Sequence, residues 1–281
     1  MKRTLLFVSA IAVIGATTFL PSCKKDKQAT DDGDTGYATD HARLEKTFDD
    51  VQNITDEAAT TGTLANLRTT ADYSILSACA TVTRDTISVP HTVTVDFGTS
   101  NCLCADGRYR RGQIIVSYNG HYRDSASVHA ITFNNFFVNN NQVTGSKSVT
   151  NMGHNNLGQT YFSIAINGSI ILANNAGTIS WISSRIRTWV AGESTLVRSD
   201  DAYDISGSAT LTRANGVGVN INITSPLHVA VSCPWIEQGV VTFTPVAPAA
   251  FKSRTLDFGN GTCDALAVLT IGNKTYNVTL P

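Results

Sequence analysis

Val217-Gly218-Val219-Asn220-Ile221-Asn222-Ile223-Thr224 alternates aliphatic with small or polar residues without a break. In an extended chain successive side chains point to opposite faces, so Val217, Val219, Ile221 and Ile223 line one face. A helix would scatter these four around its circumference, so the stretch reads as a strand with one buried face. Residues 131–138, 161–166, 178–190, 205–212, 227–232 and 276–280 read the same way. Between such runs fall Asn119-Gly120, Asn167-Gly168, Asn174 to Gly177, Asn215-Gly216 and Gly272-Asn273. Asn and Gly tolerate the positive φ of tight hairpins, which makes each a turn signal. Strands so close in sequence pair antiparallel, since a parallel pair needs a crossover of about a dozen residues. The expected fold is mainly β: an antiparallel meander forming a sandwich or a half-open barrel, with strands from about Ser74 onward.

One segment ahead of the strands has the other period. Leu44, Phe48, Val51, Ile54 and Ala58 recur at helical spacing and predict one amphipathic helix over residues 41–59. Its apolar stripe packs on the sheet. Asp40 is placed to cap it, its carboxylate accepting from first-turn amides, and Thr60-Thr61-Gly62 to end it.

The N-terminus speaks of export. Lys2 and Arg3 precede an uncharged apolar run from Leu5 to Leu20, the layout of a cleavable signal peptide. A permanent span needs roughly 20 apolar residues, so this run is short for one. Leu20-Pro21-Ser22-Cys23 resembles the bacterial lipobox, which implies cleavage after residue 22 and acyl chains on Cys23. Each buried methylene of such an anchor contributes about 0.8 kcal/mol. Residues 23–37 carry the anchor and a polar, charged tether without enough apolar surface to fold. Residues 38–281 form a single domain. The expected location is the outer membrane, in the periplasmic or the surface leaflet.

Composition narrows the function classes. The chain has 21 basic and 22 acidic residues, and signal cleavage removes two of the bases. A mildly acidic exported domain lacks the basic footprint of a nucleic-acid binder. Six cysteines are present, one of them assigned to lipid. Cys79, Cys102, Cys104, Cys233 and Cys263 remain in an oxidising compartment, so at most two bridges form and one thiol is left over. Cys102 and Cys104 point to the same face if extended. Their spacing is not that of a zinc site, and no metal or cofactor is expected.

A short motif occurs twice. Thr94-Val-Asp-Phe-Gly-Thr-Ser-Asn-Cys102 matches Thr255-Leu-Asp-Phe-Gly-Asn-Gly-Thr-Cys263 at Thr, Asp, Phe, Gly and Cys. The chain here resembles a family of uncharacterised Bacteroidota cell-envelope lipoproteins. The marks of that family are a DFGxxxC corner, a C-x-DGR-x-R-x-G segment and a terminal DFGNGTCD. They stand at Asp96 to Cys102, Cys104 to Gly112 and Asp257 to Asp264. The resemblance implies the lipoprotein class and a shared fold, and no activity.

Candidate chemistry gathers in a few places. Asp96, Asp257 and Asp264 are carboxylates suited to acid/base work, or to calcium with Asn260. The structural reading is favoured: each Asp caps local amides, Phe97 and Phe258 enter the core, Gly98 and Gly259 turn the chain, and Cys102 and Cys263 staple the corners. In Trp181-Ile-Ser-Ser-Arg-Ile-Arg-Thr-Trp189, the residues Trp181, Arg185, Arg187 and Trp189 share one face of a strand. Aromatic planes beside guanidiniums suit an acidic glycan or another anionic ligand, with Arg187→Ala expected to weaken binding without loss of stability. Arg stems covering the tryptophans would need no ligand. Arg108, Arg110 and Arg111 follow the turn signal Asp106-Gly107 and are expected to form an exposed basic turn or a docking patch for an anionic partner. Asp85-Thr86-Ile87 and Asp124-Ser125-Ala126 resemble the Asp-Ser/Thr-aliphatic sequon of Bacteroidota O-glycosylation, at Thr86 and Ser125. The six histidines lack ligand spacing, and the chain carries no GxSxG elbow and no HExxH.

These signals rank a non-catalytic binding module for glycan or another anionic ligand first. A structural envelope protein acting through a protein partner comes next, then a glycan-active enzyme using Asp96 and Asp257.

Overall fold

The computed structural model describes residues 33–60, 76, 80–195, 197–247 and 251–280. Residues 1–32, which hold the stretch read as a signal peptide and Cys23, lie outside them. Helix α1 spans Gly36–Thr60. The strands are β1 (Thr81–Asp85), β2 (His91–Asp96), β3 (Cys102–Leu103), β4 (Tyr109–Tyr118), β5 (Val128–Val138), β6 (Asn141–His154) and β7 (Thr160–Ile171). Then come β8 (Thr178–Ala191), β9 (Ala202–Thr212), β10 (Gly218–Ala230), β11 (Gln238–Pro245), β12 (Arg254–Asn260), β13 (Leu266–Ile271) and β14 (Lys274–Thr279). They make one sheet in chain order, every neighbouring pair antiparallel, with β3 alone off the path against β4. β1 and β14 are the ends of that path, so the sheet is open.

The period-two reading explains how one sheet acquires an inside. Along β8, Ile179, Trp181, Ser183, Arg185, Arg187 and Trp189 are buried, while Ile182, Ser184 and Ile186 face out. β10 repeats this with Val219, Ile221 and Ile223, the residues that first identified a strand. The buried face needs a partner, and α1 supplies it. Phe48 packs on Phe133 of β5 and Trp181 of β8, with ring centroids 6.2 and 5.7 Å apart. His41 meets Phe243 of β11 edge-on at 5.5 Å, and Arg84 of β1 donates to the Ala58 carbonyl. Strands from across the sheet thus touch one helix, so the sheet curls around it as a half-open barrel with α1 in its hollow. Burying a side chain such as Phe48 stabilises the fold by about 1.5–3 kcal/mol. Among the described residues no helix is long and apolar enough to cross a membrane.

Three expectations are corrected. α1 begins at Gly36, inside the stretch read as tether, and Asp40 does not cap it. Arg213 of the β9–β10 turn binds Asp40 at 2.8 Å and Asp34 at 2.6 Å, and Tyr37 packs at a tilt against Phe251, so tertiary contacts extend the helix backward. Residues 217–224 and 227–232 are not two strands; β10 runs through both, with its register against β9 shifting between Asn222 and Leu227. Asn167-Gly168 is not a turn but lies within β7, opposite Ser146 and Gly145. Gly168 is required there by close packing: a Cβ would sit 2.3 Å from Phe48 Cζ.

Candidate functional site

The two aspartate corners hold the geometry expected of turns. Asp96 Oδ1 accepts from the Gly98 amide at 2.7 Å, and its Oδ2 from Gln113 Nε2 at 2.8 Å. Asp257 Oδ1 accepts from the Gly259 amide at 2.9 Å, and Asp264 Oδ1 from the Leu266 amide at 2.8 Å. Phe97 and Phe258 are buried, and Gly98 and Gly259 adopt φ of 77° and 101°, which a side chain would strain. The hydrogen bonds from the Gln113 side chain and the Gly98 amide hold the Asp96 carboxyl below its usual range. Cys263 pairs with Cys233, tying the second corner to the β10–β11 turn; Cys102 is also disulfide-bonded, and Cys104 is a buried free thiol.

The tryptophan–arginine strand is built as expected in one respect. Trp181, Arg185, Arg187 and Trp189 do share a face, and it is the inner one. Arg185 Nη2 donates to Glu45 Oε1 at 2.9 Å, and its guanidinium lies 5.6 Å from the Trp181 ring. Arg187 donates to the Tyr122 hydroxyl and stands 4.4 Å over the Tyr203 ring. It follows that Arg187→Ala lowers stability, contrary to the expectation from sequence. The basic turn is corrected too. Arg110 is fully buried, its Nη2 donating to both carboxylate oxygens of Asp50 at 2.8 and 2.7 Å and to Asp106 at 2.6 Å. Arg108 lies 3.4 Å from the same Asp50. Arg111 points away and stacks over Phe137 at 3.7 Å. β4 turns Arg110 inward because the helix offers it a carboxylate.

What brings these groups together is the second stripe of α1. Ala42, Glu45, Lys46, Asp49, Asp50 and Asn53 recur every three or four residues, on the side of the helix opposite Leu44, Phe48, Val51 and Ala58. This polar stripe does not face solvent. It forms one wall of a cavity of about 430 Å³ between α1, the inner faces of β8 and β9, and the β10–β11 turn. Small-molecule sites occupy about 300–1,000 Å³. Val229, Val231, Trp235, Ile236 and Leu280 make the opposite wall apolar. Tyr203 and Arg187 close the β side, and Lys46 lies 5.8 Å from the Trp235 ring.

The charges in this wall are unequal in circumstance. Burial alone would raise the Glu45 carboxyl; Arg185 and His41 outweigh it and hold the group down at about 2. Asp50 and Asp106 are bound by Arg110. Among the described residues Asp49 has no ion pair within 4.0 Å, and burial, reinforced by the charge of Glu45, pushes its carboxyl up to about 6 against the pull of Lys147 and Arg187. Half-buried Asp49 faces Lys147 of β6, which is fully buried, its ammonium donating to the Phe48 carbonyl at 2.9 Å. Desolvation brings it down to about 8 despite the attraction of Asp49. Two polar atoms among the cavity-lining residues are enclosed without a hydrogen-bond partner: Arg187 Nε and Trp235 Nε1. Buried donors are nearly always bonded in folded proteins, and these two are exceptions.

Sequence reasoning found Arg187 of this set and missed Glu45, Asp49, Lys147 and Trp235. The polar stripe of α1 was legible, but a charged helix face ordinarily means solvent. Of the sequence candidates, only Arg187 and Arg108 line the cavity, and Asp96 and Asp257 do not. Comparison of the chain with protein-family models, curated proteins and solved structures gives no match in any of the three.

Proposed function

We propose that the protein is a lipid-anchored cell-envelope binding module, and that its ligand sits in the cavity between the polar stripe of α1 and the β10–β11 turn. The observation that carries this reading is the cavity lining: an apolar wall with Trp235 faces charged groups whose donors are not all bonded. An aromatic platform opposite a few convergent polar groups is the usual build of a small-molecule site, and it suits the ring face and hydroxyls of a sugar or an anion on an apolar frame. The favoured ligand class is an acidic glycan or another anionic compound of the envelope or its surroundings. A non-catalytic role is preferred because the aspartates considered for catalysis are each engaged by their own turns.

Anchoring through acyl chains on Cys23, in the outer membrane, is part of the same proposal and rests on the sequence of the first 23 residues. Thr86 and Ser125 are both exposed on turns, which suits their proposed glycosylation; intact mass of the native protein would carry added hexose units if they are modified. The test of binding is a thermal-shift screen against acidic and neutral glycans. A ligand at a hundred times its dissociation constant adds about 2.7 kcal/mol. A shift that vanishes when Val231→Trp fills the cavity supports the reading; a shift retained in that variant puts the ligand elsewhere.

A further inference from the structure

Independently of the cavity's ligand, we infer that a zinc site forms at the β10–β11 turn when the Cys233–Cys263 bridge is reduced, with Cys233, Cys263, Glu237 and His228 as its four ligands. Register brings the set together. Tyr203, Ile205 and Leu227 are buried on the inner face, so Asp204 and His228, which alternate with them, stand on the outer face as cross-strand partners of β9 and β10. The Glu237 amide donates to the His228 carbonyl at 3.0 Å, and the Gly261 amide to the Glu237 carbonyl at 2.9 Å. Those two hydrogen bonds draw the β12–β13 turn, which carries Cys263, against the β10–β11 turn, which carries Cys233. Both Sγ atoms and a carboxylate oxygen of Glu237 lie within 4.8 Å of one another. His228 Nε2 stands 4.0 Å from Glu237 Oε2.

Two thiolates, an imidazole and a carboxylate are a donor set that zinc takes. Its bonds to them are about 2.0–2.3 Å, which puts tetrahedral ligand atoms about 3.3–3.8 Å apart. The carboxylate and imidazole therefore close in by about an ångström, and the sulfurs part once their bond is broken. Both cysteines stand outside the strands, so no ladder has to break. His228 is already oriented. Its Nδ1 lies 2.7 Å from Asp204 Oδ1, so in the neutral ring Nδ1 donates and Nε2 keeps its lone pair on the side of Glu237. A carboxylate behind a ligating histidine fixes the tautomer in this way. The side chains of His228 and Glu237 are 35% and 15% exposed, so an ion reaches them from solvent. A dithiol reductant passes two electrons and two protons to the bridge, giving two thiols and its own disulfide. Zinc then takes both thiolates and releases the two protons. With the bridge intact neither sulfur is a thiolate, the form that binds metal, and the site is closed. The turn that presents Trp235 is thus stapled in either redox state.

Cobalt(II) is the probe, because thiolates give it a near-ultraviolet charge-transfer band and a tetrahedral site gives it intense visible bands. It is titrated into the full-length protein reduced with a phosphine. The expected result is both sets of bands, bleached by zinc, and neither in the oxidised protein. Asp204→Asn is expected to weaken binding about 10–100-fold, and His228→Gln and Glu237→Gln at least as much. Cys233→Ser/Cys263→Ser is expected to lose the charge-transfer band. A reduced parent without that band, or a band retained in the double serine variant, overturns the site. Undiminished affinity in His228→Gln or Glu237→Gln overturns the four-ligand set. Where reduction unfolds the chain, zinc is expected to restore its near-ultraviolet circular dichroism, and a chain that stays unfolded with zinc present overturns the proposal.

Discussion

Removing the charge of Glu45 isolates the interaction that holds α1 in register with β8. Glu45 and Arg185 are 2.9 Å apart, with side chains 7% and 3% exposed. In Glu45→Gln the guanidinium stays buried without its counter-ion, and Arg185 Nε and Nη1 already lack partners. Breaking a buried pair from one side costs about 3–5 kcal/mol, because a lone charge is left in a poor solvent. Linkage gives a similar size. The Glu45 carboxyl falls from 4.5 to about 2, and each unit is worth about 1.36 kcal/mol. Because the folded value is the lower one, this stabilisation is complete above 4.5 and disappears as pH falls toward 2. Urea unfolding followed by tryptophan fluorescence at neutral pH measures the loss. Glu45→Met/Arg185→Met should recover most of it, since apolar side chains of similar size replace a buried pair at little net loss. A cost below about 1 kcal/mol for Glu45→Gln, or a double variant as unstable as both singles summed, would refute the reasoning.

Other consequences follow from the same packing. Gly168→Ala puts a methyl against Phe48 and should destabilise by about 1–3 kcal/mol in the same urea assay, whereas a neutral effect would mean that α1 sits less tightly on β7 than 2.3 Å implies. Cys233→Ser/Cys263→Ser opens a loop with sequence separation 30 and should lose about 3–4 kcal/mol, read from the melting of the non-reduced protein. Asp49 is raised in the folded state, so stability should increase as pH is lowered through about 6 toward 3.8. Thermal melts across that range should lose this rise in Asp49→Asn; its persistence would assign the titration to another group.

Much of the fold was legible because strands advertise themselves by alternation. Val219, Ile221 and Ile223, and the full inward row of β8, follow the two-residue period without exception. Where the inner face is polar the signal fails. β6 carries Lys147 and Asn151 inward beside Val143 and Val149, which breaks the apolar row of Asn141–His154 that would mark a half-buried strand. Tertiary partners supply what local sequence lacks: Arg213 draws the helix start back to Gly36, and Phe48 turns an Asn-Gly pair into strand interior. The site was less legible for the same reason. Glu45, Asp49 and Asn53 look like a solvated helix face until a curled sheet closes over them, and Trp235 follows Pro234 in a turn with no periodicity to place it.

The most direct test of the account uses the indole N–H resonances of the 3 tryptophans. Trp235 lines the cavity, whereas Trp181 and Trp189 are packed in the core. A nitrogen-15 spectrum recorded during titration with an anionic glycan that shifts the melting temperature should move the Trp235 indole signal most and Trp181 least. Binding that leaves Trp235 in place would contradict the cavity as the ligand site.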